Sequence, residues 1–98
     1  MTKFYILKDR EVEESPAHSR WAEFFDVREN YVVGDNHYRE ARVLTVFDGI
    51  DFMDSRLPTL FETIVYGGQY HLRSWRSATW DEAEKQHEFA CALVSVGG

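Results

Sequence analysis

The segment "TWDEAEKQHEFACALVSV", Thr79 to Val96, constrains the fold more than any other stretch. Trp80, Ala83, His87, Ala90, Cys91 and Val94 recur at three- and four-residue steps, the spacing that aligns side chains along one face of an α-helix. Thr79 stands as N-cap with Glu82 three residues on, the spacing of a capping box. Asp81 and Glu82 also sit at the positive end of the helix dipole. A helix with one apolar stripe needs a second layer to cover it, and the rest of the chain offers strands.

"EARVLTVFDGID" alternates cleanly: Val43, Thr45 and Phe47 point one way, Leu44 and Val46 the other, and Asp48–Gly49 end the run. "FYIL", Phe4 to Leu7, reads as a short strand. "YVVGDNHY" reads as a strand fragment closed by the turn residues Gly34, Asp35 and Asn36. "WAEFFDV" fits a strand or a helical turn. Residues 8–19, with clustered charge, a proline and small polar side chains, read as an exposed connection. Residues 48–58 form the longest central connection, where Asp48, Asp51 and Asp54 alternate with Ile50, Phe52 and Met53, hydrophobes expected to tuck against the sheet edge. The expected fold is therefore α+β: one domain over residues 1–98, an antiparallel sheet of about four strands packed against one C-terminal helix.

"LFETIVYGGQYHLRSW", Leu60 to Trp75, reads as a hairpin turning at Gly67–Gly68, both able to adopt positive φ. A two-residue turn would oppose Tyr66 to Gln69, Ile64 to His71, Glu62 to Arg73 and Leu60 to Trp75. Glu62 then becomes the cross-strand partner of Arg73 rather than a catalytic acid. Phe61, Thr63 and Val65, with Tyr70, Leu72 and Ser74, would form the face that receives the helix. A four-residue loop would oppose Glu62 to Trp75 and remove the pair. The glycine pair lacks the Lys and Ser or Thr of a phosphate loop and the spaced glycines of a dinucleotide loop.

The chain carries 17 acidic against 11 basic residues, a formal charge of −6 divided evenly between its halves. That sign disfavours nonspecific nucleic-acid or anionic-membrane binding and fits a basic protein partner or mimicry of a nucleic-acid backbone. With Cys91 the lone cysteine, no internal disulfide forms, and an intracellular setting is expected. The start of the chain is unlike a signal peptide, and no 18-residue apolar span occurs.

No catalytic constellation stands out. His18, His37, His71 and His87 form no close zinc motif, and a hydrogen-bonded, half-buried role outweighs a ligand role for His87. Cys91 suits core packing better than nucleophilic duty, and no serine elbow is present. Asp48, Asp51, Asp54 and Glu62 supply acids without an identifiable pocket, and their spacing lacks the EF-hand pattern. Neither metal nor cofactor is expected. The functional surface favoured by residue type is the hairpin, where Tyr66, Tyr70, Arg73, Trp75 and Arg76 supply aromatic and arginine anchors typical of interfaces. The competing assignment makes Tyr70 core and Trp75 a shield for the sheet.

"SRWAEFFDV", "ARVLTVFDGID", "LPTLFETIVYGG" and "SATWDEAEKQHEFACALV" together resemble a group of small uncharacterised proteins encoded by bacteriophages and related bacterial elements. The resemblance covers residues 20–94 with gaps and rests on Arg20, Trp21, Phe25, Phe47, Phe61, Glu62, Thr63, Gly67, Gly68, Thr79, Trp80, Glu82, Ala83 and His87. In that group the glycine pair is often followed by a proline and a short acidic turn, where this chain has "QYHLRSW". The resemblance implies a phage gene product acting in the bacterial cytoplasm, and no enzyme. The leading expectation is a non-enzymatic interaction protein that modulates a host or viral protein. One alternative is a small-ligand or nucleotide-binding domain or enzyme using His71, Arg73 and His87; another is a minor structural component or DNA mimic. An edge strand is open in principle to pairing across a two-fold axis, though the sequence does not require it.

Overall fold

The computed structural model describes residues 2–15, 17–52 and 56–97. Met53 and Asp54 of the central connection lie outside the described residues. The chain runs β1 (Lys3–Lys8), β2 (Glu11–Glu14), α1 (His18–Phe25), α2 (Arg28–Tyr31), β3 (Val32–His37), β4 (Arg42–Phe47), β5 (Ile50–Asp51), β6 (Phe61–Tyr66), β7 (Ser74–Ser77) and α3 (Trp80–Gly97). The strands form an antiparallel four-stranded sheet, β3-β4-β6-β7, and a smaller three-stranded sheet, β2-β1-β5. The fold is α+β, with α3 laid on one face of the larger sheet.

Alternation in β4 and β6 decides which face that is. Val43, Thr45 and Phe47 pair with Val65, Thr63 and Phe61, and all six are buried beneath the helix. Ala83, His87, Ala90 and Val94 meet them from α3 and are buried too, with Trp80 and Cys91 half-buried beside them. Each fully buried phenylalanine contributes roughly 1.5–3 kcal/mol relative to an exposed one. The helix begins as its sequence dictates: the Glu82 N–H donates to Thr79 Oγ1 at 3.2 Å, while Glu82 Oε1 accepts from the Ala78 N–H at 3.2 Å.

The described residues of 8–15 and 17–19 are mostly exposed but are not a plain connection. Asp9 (φ 51°) and Arg10 (φ 69°) form a two-residue turn with both residues at positive φ, the geometry that matches strand twist, so β2 folds back on β1 with Lys8 opposite Glu11. Arg10 then reaches over the Trp80 ring, 4.8 Å from its centroid. The segment ends in α1, which resolves the strand-or-helix ambiguity of "WAEFFDV" in favour of helix. Trp21, Phe24 and Phe25 carry an aromatic relay from Phe4 through Phe47 and Phe61 to Trp80. Trp21 Nε1 donates to the Gly49 carbonyl at 3.1 Å, locking α1 to the end of β4.

Gly34, Asp35 and Asn36 do not close a strand; β3 runs through them to His37, and the turn falls later, where the Tyr38 N–H donates to the Ala41 carbonyl at 2.7 Å. Each of the three residues is there for a tertiary reason. A Cβ on Gly34 would meet His87 Nε2 at 2.6 Å, Asp35 is clamped by arginines, and Asn36 bonds His87. In the central connection, β5 pairs with β1, but Phe52 is 71% exposed rather than tucked against the sheet.

Among the described residues, no helix packs on the face of the larger sheet opposite α3. Leu44, Val46 and Ile64 lie half-buried across it, between two groups of immobilised charge. Asp35 takes two bonds from Arg42, 2.8 and 2.9 Å, and a further ion pair from Arg28. Arg76 pairs with Asp48 and Glu62.

Candidate functional site

The hairpin register differs from the two-residue turn. Glu62 stands opposite Arg76, Thr63 opposite Trp75 and Ile64 opposite Ser74, so the ladder is shifted by three residues and Arg73 is not the partner of Glu62. Arg76 Nη1 lies 3.6 Å from Glu62 Oε2; its Nε and Nη2 donate to the Thr59 carbonyl at 3.0 and 2.8 Å, and Nη2 also pairs with Asp48. The expected acid–arginine pair exists with a different arginine.

The loop explains the shift. Gly67 (φ 84°) and Gly68 (φ 72°) both take positive φ, but they turn the chain aside instead of closing the hairpin. The Gly67 N–H donates to His71 Nδ1 at 2.7 Å and the His71 N–H to the Gly68 carbonyl at 3.3 Å. Leu72, at φ 67°, then returns the chain so that its N–H reaches the Val65 carbonyl at 2.7 Å. Tyr70 is drawn against the Val43, Val65, Ala90 and Val94 cluster. A tight glycine turn would forgo both the histidine bond and the burial of Tyr70.

This wide loop, the Tyr38–Ala41 turn and the last turns of α3 enclose a groove of about 220 Å³. Tyr38, Ala41, Gly67, Gly68, Tyr70 and Val94 supply most of its wall, and Arg39, Glu40 and Ser95 its rim. A side chain at Gly67 would run into the Glu40 carbonyl oxygen, so bare backbone forms one side. Behind the wall, the Cys91 thiol, with burial second to it, raises the Tyr38 phenol above its ordinary value of 10.0. The groove is mainly apolar, with a few polar groups at its mouth, and the C-terminal end of α3 adds partial negative charge.

The aromatic and arginine candidates divide between surfaces. Tyr66 is 38% exposed at the end of β6, Tyr70 lines the groove, and Trp75 packs half-buried beneath α3 with Phe89 edge-on at 5.9 Å. Arg76 is a structural clamp on the helix-free face, while Arg73 is exposed and makes no ion pair with any described residue. They do not form one patch. The sequence does not single out Tyr38 or Ala41, and it places Val94 only on the apolar stripe of the helix. The signal for Tyr38 and Ala41 was the polar "HYREA" between two apolar runs, which marks a turn, but the glycine three residues earlier looked the stronger turn residue.

Nor are the histidines brought together. His71 is exposed in the loop, bonded to backbone. His87 is buried over the middle of the sheet, its Nδ1 2.7 Å from Thr45 Oγ1 and its Nε2 2.7 Å from Asn36 Oδ1, with Thr45 in turn 2.7 Å from Thr63 Oγ1. With the Asn36 oxygen accepting, Nε2 carries the proton, Nδ1 accepts from Thr45, and Thr45 accepts from Thr63. Burial lowers the His87 pKa from its ordinary 6.5, partly opposed by the charges of Asp35 and Glu88, so the ring is held neutral. Such a ring, with both nitrogens engaged by polar side chains, ties helix to sheet.

The acids also have structural partners. Asp48 belongs to Arg76, and Asp51 is buried, although both border a shallow depression of about 400 Å³ with Phe52 and Thr59. Among the described residues, no three His, Cys, Asp or Glu side chains come together as a metal-binding group. Among the described residues, no helix is long and apolar enough to cross a membrane. Set against family models, curated proteins and solved structures, the chain matches none.

Proposed function

We propose that this chain is a non-enzymatic interaction domain that recognises another protein by accepting one large apolar side chain in the groove between Tyr38, Gly67–Gly68, Tyr70 and Val94. The observation that carries the reading is the groove itself: about 220 Å³ of mainly apolar concavity, walled partly by bare backbone. That volume suits an indole or a phenyl ring. A ring buried in such a pocket is the kind of anchor that contributes about 2–4 kcal/mol at a protein interface.

The preferred partner segment is basic around its anchor. The chain has a net charge of −6, Glu40 offsets Arg39 at the groove mouth, and the helix C-terminus adds negative partial charge there. In the setting that the phage resemblance implies, the partner is a host or viral protein in the bacterial cytoplasm. Support for a binding role over chemistry comes from the acids and histidines, which hold structure instead of converging on a cleft.

Titration of isotope-labelled protein with short Lys- and Arg-rich peptides, each carrying a central Trp or Ala, tests the reading by amide shifts. The Trp peptides should move Ala41, Gly68 and Val94, and the Ala peptides should not. Ser95→Trp, which fills the mouth from the exposed side of α3, should weaken the Trp peptides by about tenfold or more. Equal shifts with Trp and Ala peptides, or indifference to the Ser95 plug, would exclude the groove.

A further inference from the structure

The sheets end in edges that are protected very unequally. The edge of β2 carries Glu11, Glu13 and Glu14, all exposed, so a second copy brought alongside would meet like charge. The edge of β3 is interrupted by an irregularity between Val32 and Gly34 and carries the Asp35 ion cluster. β7, Ser74 to Ser77, has no such device. It pairs with β6 alone, contains no proline or bulge, and its one charge, Arg76, is turned onto Asp48 and Glu62 of its own chain.

The ladder fixes which backbone groups that edge offers. The Val65 N–H donates to the Arg73 carbonyl at 3.0 Å, so residues 63 and 75, and 61 and 77, are the hydrogen-bonded pairs of the β6–β7 ladder. Ser74 and Arg76 alternate with them and direct their N–H and C=O groups away from β6, to the open side. Apolar surface gathers near the edge. Phe89 is 54% exposed against Trp75, and Leu72, just before the strand, is 62% exposed.

We propose that β7 pairs with β7 of a second copy across a two-fold axis normal to the sheet, centred on Trp75. In that register Ser74 of each copy exchanges backbone bonds with Arg76 of the other, which uses every outward-directed group of the two residues. Trp75 faces its own counterpart at a non-hydrogen-bonded position, where cross-strand side chains approach closest. The axis keeps both α3 helices on one face of the joined sheet, side by side, so Phe89 of each copy is covered. The same register sets Arg73 opposite Ser77 of the second copy, next to the acidic first turn of that copy's α3, Asp81 and Glu82. Arg73, which has no ion-pair partner among the described residues of its own chain, thereby gains one twice over by symmetry. This surface is separate from the groove and holds whether or not the groove binds a partner.

Sedimentation equilibrium across a concentration series, with reductant present to exclude a Cys91 disulfide, should show a reversible monomer–dimer equilibrium. Ser74→Pro removes an N–H that the monomer leaves unpaired, and it should weaken dimerisation at least tenfold while near-UV circular dichroism stays native. Arg73→Glu should weaken it several-fold, and adding Asp81→Arg should recover most of the loss. A wild type that stays monomeric to millimolar concentration overturns the proposal. So does a dimer indifferent to Ser74→Pro in a natively folded variant, or a charge swap that deepens the defect.

Discussion

The imidazole of His87 occupies the place where a side chain at Gly34 would begin: a Cβ there would lie 2.6 Å from Nε2 and 2.7 Å from Cδ2. The ring cannot retreat freely, because Thr45 holds one nitrogen and Asn36 the other. Gly34→Ala should therefore destabilise the fold by about 1–3 kcal/mol, the range for overpacking a filled interior. Urea denaturation gives the number. If the conflict is with this ring, the same glycine replacement made in a His87→Ala background should cost clearly less than it does alone.

The state of His87 sets a pH dependence. Burial lowers its native pKa, so the unfolded chain takes up the proton more readily than the folded one. Its contribution to stability is full above the unfolded value near 6.5 and falls as pH drops below that value, until the native ring also protonates. The urea midpoint should decline between pH 7.5 and 5. His87→Gln should flatten that decline, and an unchanged slope would remove His87 as its cause.

Asp35 acts in a separate window. The hydrogen bond from Arg42, with further help from Arg28 and against some cost of burial, holds its carboxyl well below the usual 3.8. A depressed acid stabilises the fold above its unfolded pKa and loses that contribution as pH falls through the range beneath. Asp35→Asn should cost about 1–2 kcal/mol at neutral pH, as expected for losing charge-assisted bonds. It should also remove part of the acid sensitivity below about pH 4, while the decline between pH 7.5 and 5 persists and deepens somewhat, because the Asp35 charge no longer opposes the lowering of the His87 pKa.

Arg76 and Arg73 provide a direct test of hairpin register. Arg76 pairs with Glu62 and Asp48 and holds the Thr59 carbonyl, whereas Arg73 has no such partners among the described residues. Because the Arg76 side chain is 41% exposed, solvent screening limits its value, and Arg76→Ala should cost about 1 kcal/mol. In dilute solution Arg73→Ala should stay within about 0.5 kcal/mol of wild type. Thermal denaturation of the two variants under identical conditions decides, and the reverse order would contradict the register.

What could be read from the sequence was local. The α3 stripe and its Thr79–Glu82 cap, and the alternation of Val43, Thr45 and Phe47, depend on spacing within a few residues, and each reappears in the fold. The errors came where a residue answers to a distant one. Gly34, Asp35 and Asn36 look like a turn by composition, yet they serve His87 and Arg42 across the structure. The acidic run of β2 looks solvated, and its turn uses non-glycine residues at positive φ, which composition does not announce. The register went astray because His71 and Tyr70 reward a wider loop than two glycines need. The groove followed the same error, since its walls come from a turn and a loop whose positions were both misplaced.

The contact of Arg10 with Trp80 has a bearing on the order in which the molecule can be made. It joins the first hairpin to the beginning of the last helix, and α3 also covers the core between β4 and β6. While the chain emerges from the ribosome, the strands of the larger sheet can meet and α1 can cover Phe47, but Val43, Val65 and the Arg10 side of the first hairpin wait for α3. Non-local closure of this kind slows folding and leaves apolar surface open to other encounters in the meantime. Completion of this fold is thus tied to one element that is made after every strand it covers.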